Sequence, residues 1–182
     1  MPGTTPPRNV IYFSSRANKI PLAGIGNLPY TDVIVAFLVP DDNLNLHGSG
    51  GAFNDNLQSS IQALQNAGKN VLISLGGGAG FPSSAYESYA ENVNGLVEQL
   101  VRFVTSNGFN GVDIDYEDDA GFTGAYDGTG FLIALTNGLA RACVQRFFLS
   151  FSHRRIRFRT MPTTRLFYDR QRPLPNKTAS SR

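Results

Sequence analysis

Three carboxylates recur at every second residue in the stretch Gly111-Val112-Asp113-Ile114-Asp115-Tyr116-Glu117. Alternate residues of an extended strand point to opposite faces, so Val112, Ile114 and Tyr116 are expected to pack against helices while Asp113, Asp115 and Glu117 share the other face. Burying three unpaired carboxylates costs several kcal/mol each, so that face must open onto something polar. In a barrel of parallel strands the inward face leads to a polar mouth at the C-terminal strand ends, where active sites sit. Each residue climbs about 3.3 Å, which places Glu117 uppermost. Like charges this close cannot all ionise at neutral pH, so at least one proton is shared and one group is held as an acid. A carboxylic acid protonated near neutrality is what cleavage of a glycosidic bond requires. Three other readings compete: a solvated edge strand, a calcium loop and a magnesium cluster for phosphoryl transfer. The intervening residues are too apolar for the first. The second fits Asp113, Asp115 and Glu117 as positions one, three and five but meets Asp118 at six and Gly124 at twelve, where Gly and Glu are needed. The third lacks any phosphate-binding feature.

The elements that must carry this strand follow a regular alternation. Asn9-Val10-Ile11-Tyr12-Phe13 reads as a short strand, and residues 31–39 as a second, β-branched and apolar on both faces as a covered parallel strand should be. Leu57, Ile61 and Leu64, spaced by four and three, mark an amphipathic helix over residues 54–67 with Gly68 as its stop. Residues 70–75 form a third strand that runs into Gly76, Gly77 and Gly78. One long helix is expected over residues 84–107, with Val93, Leu96, Val97, Leu100, Val101 and Val104 on a single stripe and Gly108 behind it. After the acidic strand and a loop rich in Gly and Asp, a further helix covers residues 130–141, and residues 146–151 form a fifth strand. Alternating strands and helices predict right-handed βαβ units and a parallel sheet, hence the α/β class. Between an open doubly wound sheet and a (β/α) barrel, the nucleotide fingerprints that would favour the first are missing: the glycine stretch from Gly76 meets Phe81 where its sixth position requires Gly.

The segment Asn110-Gly111-Val112-Asp113-Ile114-Asp115-Tyr116-Glu117 resembles the active-site signature of family 18 glycoside hydrolases, the chitinase family, written Asp-Gly-x-Asp-x-Asp-x-Glu; Asn110 replaces the first Asp. Ser74-Leu75-Gly76-Gly77 resembles the family's Ser-x-Gly-Gly at the end of the third strand, and the strands bearing Tyr12 and Phe37 resemble the corresponding strands of plant-type and fungal chitinases. The four motifs occur in the family's order over roughly residues 9–140. The resemblance implies the N-terminal half of a (β/α) TIM-type barrel, about four or five βα units where a full barrel has eight over about 250 residues. It also implies retaining, substrate-assisted hydrolysis of β-1,4-linked N-acetylglucosamine polymers such as chitin. Carried onto this chain, Glu117 is the acid that protonates the leaving oxygen. Asp115 orients the 2-acetamido group that attacks the anomeric carbon, and Asp113 shares a proton with Asp115. Tyr12, Phe37, Gly77 and Gly78 are the implied substrate-binding positions. Close strand–helix packing accounts equally for Ser74 and the glycines, as core filling does for Tyr12 and Phe37. No cofactor and no metal ion are expected.

Composition changes at one point. Residues 1–140 carry 5 Lys/Arg against 13 Asp/Glu, a net of −8; residues 141–182 carry 11 against 1, a net of +10. All 19 glycines lie at or before Gly138, although average usage would put about three in the last 44 residues. The expected division is therefore a partial catalytic domain over residues 1–142 and a basic, Gly-free tail over residues 143–182, read as frameshifted or disordered. The tail carries no groove-reading motif, so no specific nucleic-acid partner is expected. The lone Cys143 has no disulfide partner, and His47 and His153 read as surface residues. The longest apolar runs are too short to span a bilayer, and the first ten residues lack the apolar core of a leader, which leaves compartment open beyond the secretion typical of the family. An open half-barrel would leave strand edges unpaired, inviting pairing with another copy. Two functions are consistent with these features: a chitin-type hydrolase, and a non-catalytic, lectin-like chitin-binding remnant.

Overall fold

Nine consecutive residues, Asp32–Pro40, form the longest strand, β2, and seven of them are buried because Val33, Ile34, Val35, Leu38 and their neighbours are β-branched or apolar on both faces. The computed structural model describes residues 7–14, 20–142 and 148–151. Around β2 the strands β1 (Val10–Phe13), β4 (Asn70–Gly76), β5 (Gly111–Asp115) and β6 (Phe148–Phe151) assemble in the order β1-β2-β4-β5-β6, every neighbouring pair parallel. A three-residue strand, β3 (Leu46–Gly48), folds back antiparallel on the end of β2. The crossovers contain a 3₁₀ helix (Leu22–Asn27), α1 (Leu57–Asn66), α2 (Ser83–Glu91), α3 (Val93–Asn107), α4 (Ala120–Thr123) and α5 (Gly128–Ala142). This is an α/β fold with the strand–helix repeat of a (β/α) barrel, five parallel strands of it lying among the described residues. The expected fifth strand is seen at Phe148–Phe151; Arg146, Phe147, Cys143 and the basic segment 152–182 lie outside the described residues.

Residue alternation divides the sheet into two faces. Val33, Val35, Val71, Ile73, Leu75, Val112 and Ile114 join Ile61, Leu64, Leu96, Leu100, Val104, Phe131 and Leu135 of the helices in one apolar core. The opposite face carries Ile34, Leu72, Ala36, Ser74 and Asp113, all buried but outside that core. Strand register sets Ala36 beside Ser74 and Ser74 beside Asp113, so a small, a hydroxyl and a carboxylate side chain form one row across the sheet.

Two expectations are corrected. The single helix over residues 84–107 is two, because Asn92 leaves the helical region (φ −136°, ψ 60°) and its side chain accepts the Gly95 amide at 3.1 Å, capping α3. At the other end Gly108 closes α3 in the left-handed region, as the sequence indicated. The acidic strand stops at Asp115 rather than Glu117. Its partner β4 ends at Gly76, level with Asp115, and the Gly77 amide donates to the Asp115 carbonyl at 3.1 Å, so the ladder has nothing further to pair with.

At the opposite, N-terminal end of the strands, the Asp32 side chain is fully buried and receives Arg8 through two contacts of 2.6 and 2.9 Å, plus Thr31 and Asn70. Burial works to raise this carboxyl, but the hydrogen bonds from Arg8, Thr31 and Asn70 outweigh it and hold it below the ordinary 3.8. A lowered folded pKa contributes stability above pH 3.8 that is lost as pH falls through the folded value. Urea melts between pH 5 and pH 2 are therefore expected to show an Asp32-dependent loss of stability as pH falls below about 4. The loss should be absent from Asp32→Asn; an unchanged profile in that variant would exclude the assignment.

Candidate active site at the end of the acidic strand

Solvent access rises stepwise along β5. Asp113 is fully buried, Asp115 is 5 % exposed, and Glu117, two residues past the strand end, is exposed. Asp113 is held from two other strands: the Tyr12 hydroxyl of β1 donates to Oδ2 at 2.6 Å, and the Ser74 hydroxyl of β4 donates to the same oxygen at 2.8 Å. Tyr12 and Asp113 lie 101 residues apart, with β2 and β4 between their strands, so the hydroxyl of β1 reaches across the inward face of the sheet to β5. The charge of Asp113 also reaches Arg8, whose guanidinium is raised first by its hydrogen bond to Asp32 and further by Asp113.

The glycines at and just past the end of β4 are shaped to the carboxylates. Gly76 has φ +118°, and a Cβ there would overlap the Asp115 carbonyl. Gly77, at φ +83°, lies against the Phe37 ring, which a Cβ would meet at 3.0 Å. The Gly78 amide donates to Glu117 Oε2 at 2.7 Å, and a Cβ there would come within 2.5 Å of that oxygen. Side chains at these three positions would push the β4 end away from Asp115, Phe37 and Glu117 in turn.

The predicted residues thus fall into linked groups: Tyr12 with Asp113, Phe37 with Gly77, and Gly78 with Glu117, while Asp115 lies level with Gly76 between them. Tyr12 is 36 % exposed and Phe37 half-buried, so each presents ring surface and neither is wholly enclosed. Ser74, seen in the sequence only as part of a small-residue motif, is a direct partner of Asp113. Beneath the site the Tyr86 hydroxyl is pushed far above its ordinary range, first by burial and then by the charges of Tyr116, Asp115, Asp118 and Glu117.

Sequence reasoning missed Asp118, which is buried and accepts from Ser83, Ala120 and Tyr126. An Asp between Glu117 and Asp119 in a polar loop gives no local sign of burial. Two surface grooves of about 440 Å³ lie elsewhere, one lined by Leu46, Gly95 and Arg102 and the other by Glu87, Tyr126 and Phe131. The carboxylates and their partners, not cavity volume, locate this site. Among the described residues no group of three His, Cys, Asp or Glu side chains converges to hold a metal ion, and no helix is long and apolar enough to cross a membrane.

Residues 8–154 match the model of the family described as glycosyl hydrolases family 18. A family 18 chitinase from Pseudoalteromonas aurantia is 40 % identical, with a TM-score of 0.72 over 80 % of this chain and 55 % of that one. A mutant of catalytic domain 2 of the Ostrinia furnacalis Group II chitinase, solved with penta-N-acetylchitooctaose, shares the fold at 22 % identity, with a TM-score of 0.61 over 79 % of this chain and 42 % of its own. A curated relative, a chitinase-like effector from Moniliophthora perniciosa, is 32 % identical over 90 residues, which are 48 % of this chain and 20 % of that protein. The chain therefore spans about half the length of the solved chitinases it matches and a fifth of the curated relative. The chain belongs to family 18 of the glycosyl hydrolases.

Proposed function

We propose that this chain carries the acid side of a centre that hydrolyses β-1,4-linked N-acetylglucosamine polymers with retention of configuration. The observation that carries the reading is the graded placement of the carboxylates: two buried on the inward side of β5 and Glu117 exposed above them with one oxygen already fixed. Because the Gly78 amide holds Oε2, the proton of the acid belongs on Oε1. Glu117 gives that proton to the glycosidic oxygen as the bond to the anomeric carbon breaks. The acetamido oxygen of the same sugar donates its lone pair to that carbon and forms an oxazolinium ion. Asp115 orients the acetamido group and faces the positive charge that develops on it. Asp113, fixed by Tyr12 and Ser74, shares a proton with Asp115 and sets its state. Water, deprotonated by the now anionic Glu117, then opens the oxazolinium from the face the leaving group vacated. Tyr12 and Phe37 supply the floor of the sugar site, and Gly77 and Gly78 let the substrate approach the backbone. Family membership supports the chitin-type substrate.

Two inversions at the anomeric carbon restore its configuration, so the first-formed reducing ends are β-anomers. Proton NMR of chito-oligosaccharide digests, read before mutarotation, is expected to show β in excess. Initial α-anomer would overturn the substrate-assisted route.

A further inference from the structure

Glu117 stands beyond the end of β5, yet a proton donor must be held in place to serve. Its two neighbours in sequence share one anchor. The Tyr126 hydroxyl donates to Asp118 Oδ2 at 2.9 Å and lies 2.5 Å from the Tyr116 hydroxyl. Since the Tyr126 proton is committed to Asp118, Tyr116 must be the donor of the second bond. Asp118 Oδ1 takes the Ser83 hydroxyl at 2.8 Å and the Ala120 amide at 3.1 Å, tying the loop to the start of α2. The Tyr116 ring packs against Tyr86, Phe122 and Phe131. A second, independent feature shows that the chain makes room for this pair. A Cβ on Gly128 would come within 2.7 Å of the Tyr116 hydroxyl and 2.9 Å of the Gly121 backbone, and one on Gly121 would meet the Tyr116 hydroxyl and, at 2.8 Å, the Tyr126 ring.

We propose that Tyr126 is the positioning residue for Glu117: its one hydroxyl clamps the residues on both sides of the acid and so fixes the carboxylate against the Gly78 amide. Tyr126 does not touch substrate and acts only through Tyr116 and Asp118. Burial, followed by its bonds to Tyr116 and Asp118, pushes the Tyr126 hydroxyl far above its ordinary value, so it stays a protonated donor through the working pH range. The proposal deepens the hydrolase reading and rests on it for its kinetic test, but not for its structural one.

The structural readout is hydrogen exchange of the Gly78 amide, whose partner is Glu117 itself. In full-length Tyr126→Phe, Gly78 exchange is expected to rise about tenfold while the core amides of Ile73 and Leu100 keep their wild-type protection. The kinetic readout is a fall in kcat of ten- to roughly a hundredfold with KM unchanged within about threefold. Asp119→Asn, the exposed neighbouring carboxylate, should change neither. If Tyr126→Phe does not fold, Tyr116→Phe, which removes the other hydroxyl of the same bond, should raise Gly78 exchange in the same way. Wild-type Gly78 exchange in the folded variants, or an equal rise at Ile73 and Leu100, would overturn the clamp. Should the wild type turn over no faster than Glu117→Gln, the hydrolase reading fails and Gly78 exchange alone decides the clamp.

Discussion

Gly76→Ala is expected to cost about 3 kcal/mol or more, the largest stability effect of any single methyl group added near the site. Two costs coincide there. The backbone sits at φ +118°, a conformation L side chains rarely adopt, and the new Cβ would overlap the Asp115 carbonyl oxygen and lie 2.8 Å from its carbon. Those are main-chain atoms of β5, so no side chain can swing aside; β4 and β5 must part at their upper ends, where the Gly77 amide bonds the same carbonyl. Gly108 is the control. It also has a positive φ, +79°, but a Cβ there meets nothing within 4 Å, so Gly108→Ala should lose only about 1 kcal/mol. Urea denaturation of the two variants separates the terms. Equal losses would mean that the close approach of Gly76 to Asp115 carries no energy of its own.

The parts of this fold legible in the sequence are those set by local periodicity. Val112 and Ile114 enter the helix-side core while Asp113 turns to the other face, because period-two alternation is a property of any extended backbone. Leu57, Ile61 and Leu64 are all buried on α1 for the same kind of reason, at helical spacing. What the sequence hid depends on partners elsewhere in the chain. The acidic strand stops at Asp115 because β4 has run out, a fact stored 39 residues away at Gly76. The helix break at Asn92 depends on one side chain capping Gly95 just ahead of the apolar stripe that starts at Val93. Strand β3 is only three residues long, and the turn before it is fixed by the Asp41 carboxylate accepting the Asn43 and Asn45 amides, too short a signal for periodicity to carry.

The site divides along the same line. The spacing of Asp113, Asp115 and Glu117 is a local signal and marked the strand at once. The Tyr12 and Ser74 hydroxyls on Asp113 arise from sheet order and register, which a single strand does not encode. Asp118 and Tyr126 left only an oblique trace, the glycines at 121 and 128 that admit the tyrosine pair, and those read as ordinary loop glycines.

The effect expected to be largest on activity is that of Glu117→Gln. Glutamine has nearly the same shape, and its amide oxygen can still accept the Gly78 N–H, so strand, loop and glycine turn should keep their geometry. What disappears is the proton for the leaving oxygen and the base that later activates water, a loss on the order of 10²–10⁴ in kcat with little change in substrate affinity. The measurement is the rate of soluble chito-oligosaccharide release by the full chain and by Glu117→Gln, with circular dichroism showing that both are folded. The predicted result is release by the wild type at least about a hundredfold faster than by the variant. Equal rates in the two proteins, at whatever level, would contradict a catalytic role for Glu117 and leave at most a chitin-binding function for this chain.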